Sequence, residues 1–310
     1  MFRAESTGFR AGGQRGSALL IVLWSLMLLT AAVFVWADWI QHDYKLHAEA
    51  NRQVEARAMA YSGLQIALHP KVSRVTPLLR QELSDTRGYE VTMVSEGGKL
   101  NLRWWMEGED PRKVDILKRW MEQHGLTFQE REVLMDSLLD YVDADDLRRL
   151  NGQEATPNYS PANRPLENVD DLAEVFGAEP LMQSPGWRDD LTIYSQGPLD
   201  LTSAPAQLLR LIPGFDEPRI ERLLEIRRGI DGEENTPDDI KVFEQYKTVD
   251  QLLTLLGFSQ AQQQSIAGLV MIKDQTMNIL SRGRSGKVIR QIEVVAVKTR
   301  GNPVIRVWNE

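Results

Sequence analysis

From Ser17 to Ala37 the chain reads SALLIVLWSLMLLTAAVFVWA, a run with no charged residue. About 20 apolar residues are needed to cross ~30 Å of hydrocarbon. In lipid the backbone has to satisfy its own hydrogen bonds, so such a run is expected to be a helix. Arg3, Arg10 and Arg15 precede it against one acid, Glu5. That bias predicts a cytoplasmic N-terminus and export of the rest. A cleaved secretory signal would have a shorter apolar core followed by a small-x-small site, and Ala31, Ala32 and Ala37 offer only an imperfect one. A plain membrane anchor fits the same run.

The helix is not expected to stop at the membrane. After Asp38 neither Gly nor Pro occurs until Gly63 and Pro70, and residues 45–62 are rich in good helix formers. Ala50, Val54, Ala58, Tyr61 and Leu68 recur at helical spacing and form one apolar stripe, expected to pack on a globular part. A helix from Ser17 to Leu68 would be ~78 Å long, and Pro70 ends the pattern.

The chain as a whole is acidic: 36 Lys plus Arg against 44 Asp plus Glu give a net charge of -8. That argues against a general nucleic-acid binder, which needs a basic surface. There is no cysteine, which excludes disulfides, thiolate metal sites and cysteine nucleophiles. The four histidines are His42, His47, His69 and His124, and the first three fall with the long helix, so a histidine-based catalytic centre is not expected. There is no Gly-rich phosphate loop, no GxSxG and no HExxH.

Residues 89–104 read as a β-hairpin around Glu96-Gly97-Gly98-Lys99. Lys287–Lys298 and Asn302–Val307 read as two further strands of the same sheet. The middle, roughly 109–280, is then a mostly helical insertion. It holds a weak repeat: NVDDLAEVFG at 168–177 and TVDQLLTLLG at 248–257, each opening on a capping residue and closing on Gly. Residues 201–227 look like a helix-hairpin-helix with its turn at Pro213-Gly214-Phe215. Asp216 and Glu217 follow that turn and would repel phosphate, so packing or protein contact is favoured over DNA.

The densest chemistry is at 138–154, LLDYVDADDLRRLNGQE. Asp140, Asp143, Asp145, Asp146 and Glu154 place five carboxylates in fifteen residues. Ca²⁺ takes six to eight oxygens from such groups. The alternative is a helix end whose acids pair with Arg148 and Arg149. A second acidic loop, Asp231–Asp239, lacks EF-hand spacing and reads as solvated. The five acids crowd one helix end instead of flanking a cleft, so a carboxylate hydrolase is the less favoured reading.

These segments, in this order, resemble the K-type minor pseudopilins of type II secretion systems. Gln14-Arg15-Gly16 before the apolar run resembles a prepilin peptidase site, cut between Gly16 and Ser17. Ile21 stands fifth after that site, where most pilin-like proteins carry Glu and the K type does not. Gly98-Lys99-Leu100-Asn101-Leu102 and the acidic segment 138–154 resemble K-type motifs, with Tyr141 in place of the usual Trp. The resemblance implies an α+β fold: a pilin-like long N-terminal helix packed on a small antiparallel sheet, with a large inserted helical domain of helix-hairpin-helix or SAM-like type. The divisions expected are a leader 1–16, a span 17–37, the helix continuation 38–70, sheet 71–108, insert 109–280 and sheet 281–310. It implies a non-enzymatic subunit of the inner membrane with a periplasmic domain, cleaved and methylated at Ser17. Implied partners are the prepilin peptidase and pseudopilins I and J at the filament tip; calcium in the helical domain is the implied cofactor. The rivals are a membrane-tethered DNA-uptake module and a tethered calcium-dependent hydrolase.

Overall fold

The computed structural model describes residues 14–233, 236, 245–299 and 301–310, with side chains from Ala18 onward. It divides into two units, Met1–Glu55 and Ala56–Glu310.

The first unit is the N-terminal part of helix α1 (Gln14–Leu68). This helix is long and apolar enough to cross a membrane. Leu19 through Leu29 and Val33 through Trp36 present their apolar side chains outward. The two hydroxyls in the run are satisfied inside the helix: Ser25 donates to the Ile21 carbonyl at 2.7 Å and Thr30 to that of Leu26 at 2.6 Å. Lipid could not supply those bonds. Trp36 and Trp39 stand exposed where the apolar run gives way to polar residues, as aromatic residues do at membrane interfaces.

In the second unit α1 continues against a five-stranded antiparallel sheet. Its order is β1 (Arg80–Ser84), β2 (Arg87–Ser95), β7 (Thr276–Ser285), β8 (Val288–Val297) and β9 (Val304–Asn309). Two pairs of two-residue strands lie elsewhere: β3 (Leu100–Asn101) beside β4 (Leu191–Thr192), and β5 (Leu199–Asp200) beside β6 (Val270–Met271). The face of α1 on the sheet is Ala56, Ala60, Leu64 and Ala67, all fully buried. These are mostly small residues, so the helix backbone comes close. A Cβ on Gly63 would lie 2.7 Å from Ser281 Oγ, and one on Gly283 would run into the Ala56 carbonyl. Ser281 Oγ donates to the Ala60 carbonyl at 2.6 Å. The apolar stripe read from sequence is therefore not the packed face: Ala58 and Tyr61 are exposed and only Leu68 is buried.

Two other expectations are corrected. Residues 89–104 are not a hairpin. After β2 the chain makes a 3-10 turn at Glu96–Gly98, then β3 pairs in parallel with β4, and helix α2 (Leu102–Met106) follows. Gly97 and Gly98 serve close approach: side chains there would strike Asp274 and Ser203. The strand that pairs with β2 is β7, with Ser95 opposite Met277. It begins before the expected boundary at 281, because its buried positions hold Thr276, Ser281 and Ser285 as well as Ile279 and so show no apolar alternation.

Between Ser95 and Thr276 lie α3 (Pro111–Gln123), α4 (Phe128–Val142), α5 (Glu179–Gln183), α6 (Ala206–Leu209), α7 (Glu217–Arg227), α8 (Val249–Leu255) and α9 (Gln260–Ser265). They share one core that includes Trp105, Ile116, Trp120, Leu138, Leu208 and Ile220. The repeat is real at its caps. Asn168 and Asp171 form a capping box, Thr248 accepts the Gln251 N–H, and Gly177 and Gly257 take positive φ. Its first copy is a 3-10 helix and its second an α-helix. In the segment 201–227, α6 and α7 flank the turn at Pro213-Gly214-Phe215, with Gly214 at φ 87.

Candidate functional site

The acidic segment is built on α4. Thr127 and Glu130 cap its start in a reciprocal box, and Leu134, Leu138 and Tyr141 fix it in the core. Asp140 lies on the buried side, fully enclosed. The loop after α4 folds back over it. Arg149 donates to Asp140 at 2.7 Å and to Asp143 at 2.6 Å from one guanidinium nitrogen, and to Glu109 at 2.6 Å from another. Two further bonds fasten the loop, from the Asn151 backbone and side chain to Asp136 Oδ2 at 3.0 and 2.9 Å. Gly152 passes so close to the Asp140 carboxylate that no side chain fits there.

Burial opposes charge on Arg149, but the hydrogen bonds to Asp143, Asp140 and Glu109 outweigh it and hold the guanidinium above its ordinary pKa. Glu154 shows the opposite environment. It is 8% exposed, and both its carboxylate oxygens lack a hydrogen-bond partner, as does Asp143 Oδ1. Burial first, then the charges of Asp140, Asp143, Asp146 and Asp145, push its pKa up. Tyr141 donates to Glu174 at 2.9 Å and is pushed to about 12 by burial and that bond.

The orphaned oxygens of Glu154 and Asp143 suit a cation, but the set as a whole does not fit calcium. Arg149 stands between Asp140 and Asp143, Asp145 accepts the Leu147 N–H at 2.8 Å, and among the described residues no three His, Cys, Asp or Glu converge on a metal position. Sequence reasoning named Arg149 only as one of two compensating bases and missed Glu109 and Asp136. Glu109 lies 40 residues from Arg149 and no local spacing connects them. The recess beside the loop, about 460 Å³, is lined by Met106, Glu109, Leu139, Val142, Asp143 and Arg149. Neither Asp140 nor Glu154 opens onto it, as the hydrolase reading requires.

Of the other candidate residues, Arg15, Gly16 and Ser17 fall in the first turns of α1, and residues 1–13 of the expected leader lie outside the described residues. Ile21 is on the apolar run with its side chain outward. Beside the turn between α6 and α7, Arg219 is turned back onto the Gly214 and Gly257 carbonyls at 2.7 and 3.1 Å, and Asp216 caps α7. The turn thus shows an acid where phosphate would approach. Of the second acidic loop, Glu234, Asn235 and residues 237–239 lie outside the described residues.

Residues 98–184, which contain α3, α4 and the acidic segment, match the first-domain model of the type II secretion system protein K family. A chain of the GspK-GspI-GspJ complex from the type 2 secretion system of enterotoxigenic Escherichia coli shares the fold. Its TM-score is 0.53 at 14% identity, covering 87% of this chain and 97% of that one. No curated protein sequence matches this chain. A long N-terminal helix on an antiparallel sheet, interrupted by a helical region of which residues 98–184 match the protein K first-domain model, is the fold that this chain shares with the chain of that complex.

Proposed function

We propose that this chain is a minor pseudopilin at the tip of the pseudopilus, where it joins pseudopilins I and J and supports export of folded proteins across the outer membrane. The observation that carries the reading is the joining of three parts in one chain: a membrane-length apolar helix, a sheet packed on that helix's continuation, and the protein K domain within the sheet's connection. The similar solved chain belongs to a complex named for GspK, GspI and GspJ, which supports I and J as partners. Ile21 supports the tip position. A carboxylate at that place in lipid is costly without a neighbouring amine to pair with it, and a topmost subunit has no such neighbour. The chain acts by assembly, not by catalysis: the carboxylates that could have served hydrolysis are engaged by Arg149 or closed in the core.

The test is the intact mass of the protein taken from inner membranes. It is expected to begin at Ser17 with one added methyl group, after cleavage by the prepilin peptidase following Arg15-Gly16. Recovery with residues 1–16 still attached, or as a soluble periplasmic form cut beyond Ala37, would overturn the reading.

A further inference from the structure

The loop that closes over Asp140 ends on Asn151-Gly152. An asparagine followed by glycine is the pair most open to self-modification, because no side chain on the second residue hinders attack of its backbone nitrogen on the asparagine carboxamide. Both members are demanded here by the fold. Asn151 supplies two donors to Asp136 Oδ2, its backbone N–H at 3.0 Å and its Nδ2 at 2.9 Å. Gly152 is buried, and a Cβ there would run into the Asp140 carboxylate. The reactive pair therefore cannot be exchanged for a quieter one without loosening the loop, and geometry has to hold the chemistry off.

Three features do so. The Gly152 N–H donates to the Arg149 carbonyl at 3.2 Å, so the attacking nitrogen keeps its proton. The Asn151 carboxamide is fixed on Asp136. The carboxylates of Asp136 and Asp140 stand beside the pair, and their charge opposes the amide anion through which the attack proceeds. We propose that Asn151 is a deamidation site gated by opening of this loop. With the loop lifted, the Gly152 nitrogen bonds to Asn151 Cγ, the Cγ–Nδ2 bond breaks, and Nδ2 leaves as ammonia with the proton from Gly152. Water then opens the cyclic imide at one carbonyl or the other, giving aspartate or isoaspartate. Either product bars the way back. Aspartate sets a carboxylate against Asp136 Oδ2, where Nδ2 had donated. Isoaspartate adds a carbon to the main chain just before Gly152, where not even a Cβ fits. Arg149, carried on the same loop, then loses its seat on Asp140 and Asp143. This site stands independently of the pseudopilin reading.

The full-length chain in detergent would be held at mildly alkaline pH, with and without urea, then digested with pepsin at low pH. The peptide containing Asn151 is weighed for replacement of NH2 by OH. Asn151 is expected to react in the folded chain at about a tenth of its rate in urea or less, because only the open fraction reacts. Asn158, exposed and followed by Tyr159, gives the slow background in both. Asp136→Ala removes the clamp and is expected to raise the folded rate about tenfold while its melt stays cooperative. Should that variant not fold, the parent in urea below its unfolding transition gives the same reading, with the rate rising ahead of the global melt. The deamidated chain, separated by anion exchange on its added negative charge, is expected to melt below the parent. Equal rates at Asn151 with and without urea, a rate that rises only with global unfolding, a folded Asp136→Ala that reacts no faster than the parent, or a deamidated chain that melts with the parent overturns the proposal.

Discussion

Arg149 shows how one residue sets the character of the acidic segment. Its guanidinium answers Asp140, which has no solvent at all, together with Asp143 and Glu109. Removing one partner of a buried pair leaves uncompensated charge and costs on the order of 3 kcal/mol or more. Arg149→Met should therefore lower stability by about that amount in denaturant titrations of the detergent-solubilised chain. Calcium should leave the melting temperature of the unaltered chain unmoved and partly rescue the Met variant. A melting temperature of the unaltered chain that climbs with calcium would return these carboxylates to metal binding. Glu154 gives a pH test. Its folded-state pKa is raised, so its stabilising contribution is complete below the ordinary carboxylate range and is lost as pH rises through the folded value. Glu154→Gln should be more stable than the parent at pH 8 and match it at pH 4. Lys298 runs the other way. Its ammonium donates to the Ala67 and Val72 carbonyls at 2.7 and 2.5 Å, and burial lowers it to about 8 from 10.5. Between those values the unfolded chain holds the proton and the folded chain does not, so its contribution rises with pH across that window. Lys298→Met should flatten that rise in unfolding measurements from pH 7.5 to 10.5.

At the level of elements, the seat of α1 on the sheet depends on two glycines and a serine. Any Cβ on Gly283 would meet the Ala56 carbonyl, and one on Gly63 would meet Ser281, Tyr89 and Val91. Gly283→Ala is expected to destabilise by about 1–3 kcal/mol through overpacking, read by the loss of native signal in thermal melts. Arg282→Ala, at an exposed position of the same strand, controls for general effects on the strand. This contact also explains what the sequence could and could not disclose. The membrane run, the long helix, β8, β9 and the capped repeats were legible because each carries a local signature: absence of charge, apolar spacing, or a cap three residues from its partner. The packed face of α1 was hidden because alanines and a glycine contribute little to an apolar stripe, while Val54 and Tyr61 contribute much. Strand β7 was hidden because hydroxyls and a glycine fill its inward positions. In the acidic segment, the carboxylates were legible from their density. Their closure by Arg149, and the distant Glu109, depend on a loop folding back over α4, which no spacing encodes.

Across the whole second unit, the sheet and the helical region are one connection apart. Ser95 and Met277 are directly opposed in adjacent antiparallel strands, so their Cα atoms lie ~5 Å from each other. Everything from Glu96 to Thr276 leaves and returns at that point. The joint is polar and buried: Asp200 accepts the Lys273 and Asp274 N–H groups at 3.0 and 2.8 Å, Asp274 accepts those of Gln196 and Thr276 at 2.8 and 2.6 Å, and Thr192 donates to Glu96. All of these bonds join residues within the connection itself. Replacing residues 96–276 with Asn-Gly would close β2 onto β7 in the two-residue turn that antiparallel neighbours favour. The core between α1 and the sheet, which includes Leu64, Ile279, Ile292 and Val294, belongs wholly to what is kept. The shortened chain is therefore expected to stay in the membrane and to melt cooperatively. It is also expected to lose secretion, because the protein K domain goes with the deletion. A shortened chain that unfolds would show that the helical region props the sheet, and one that still supports secretion would remove the helical region from the function proposed for this chain.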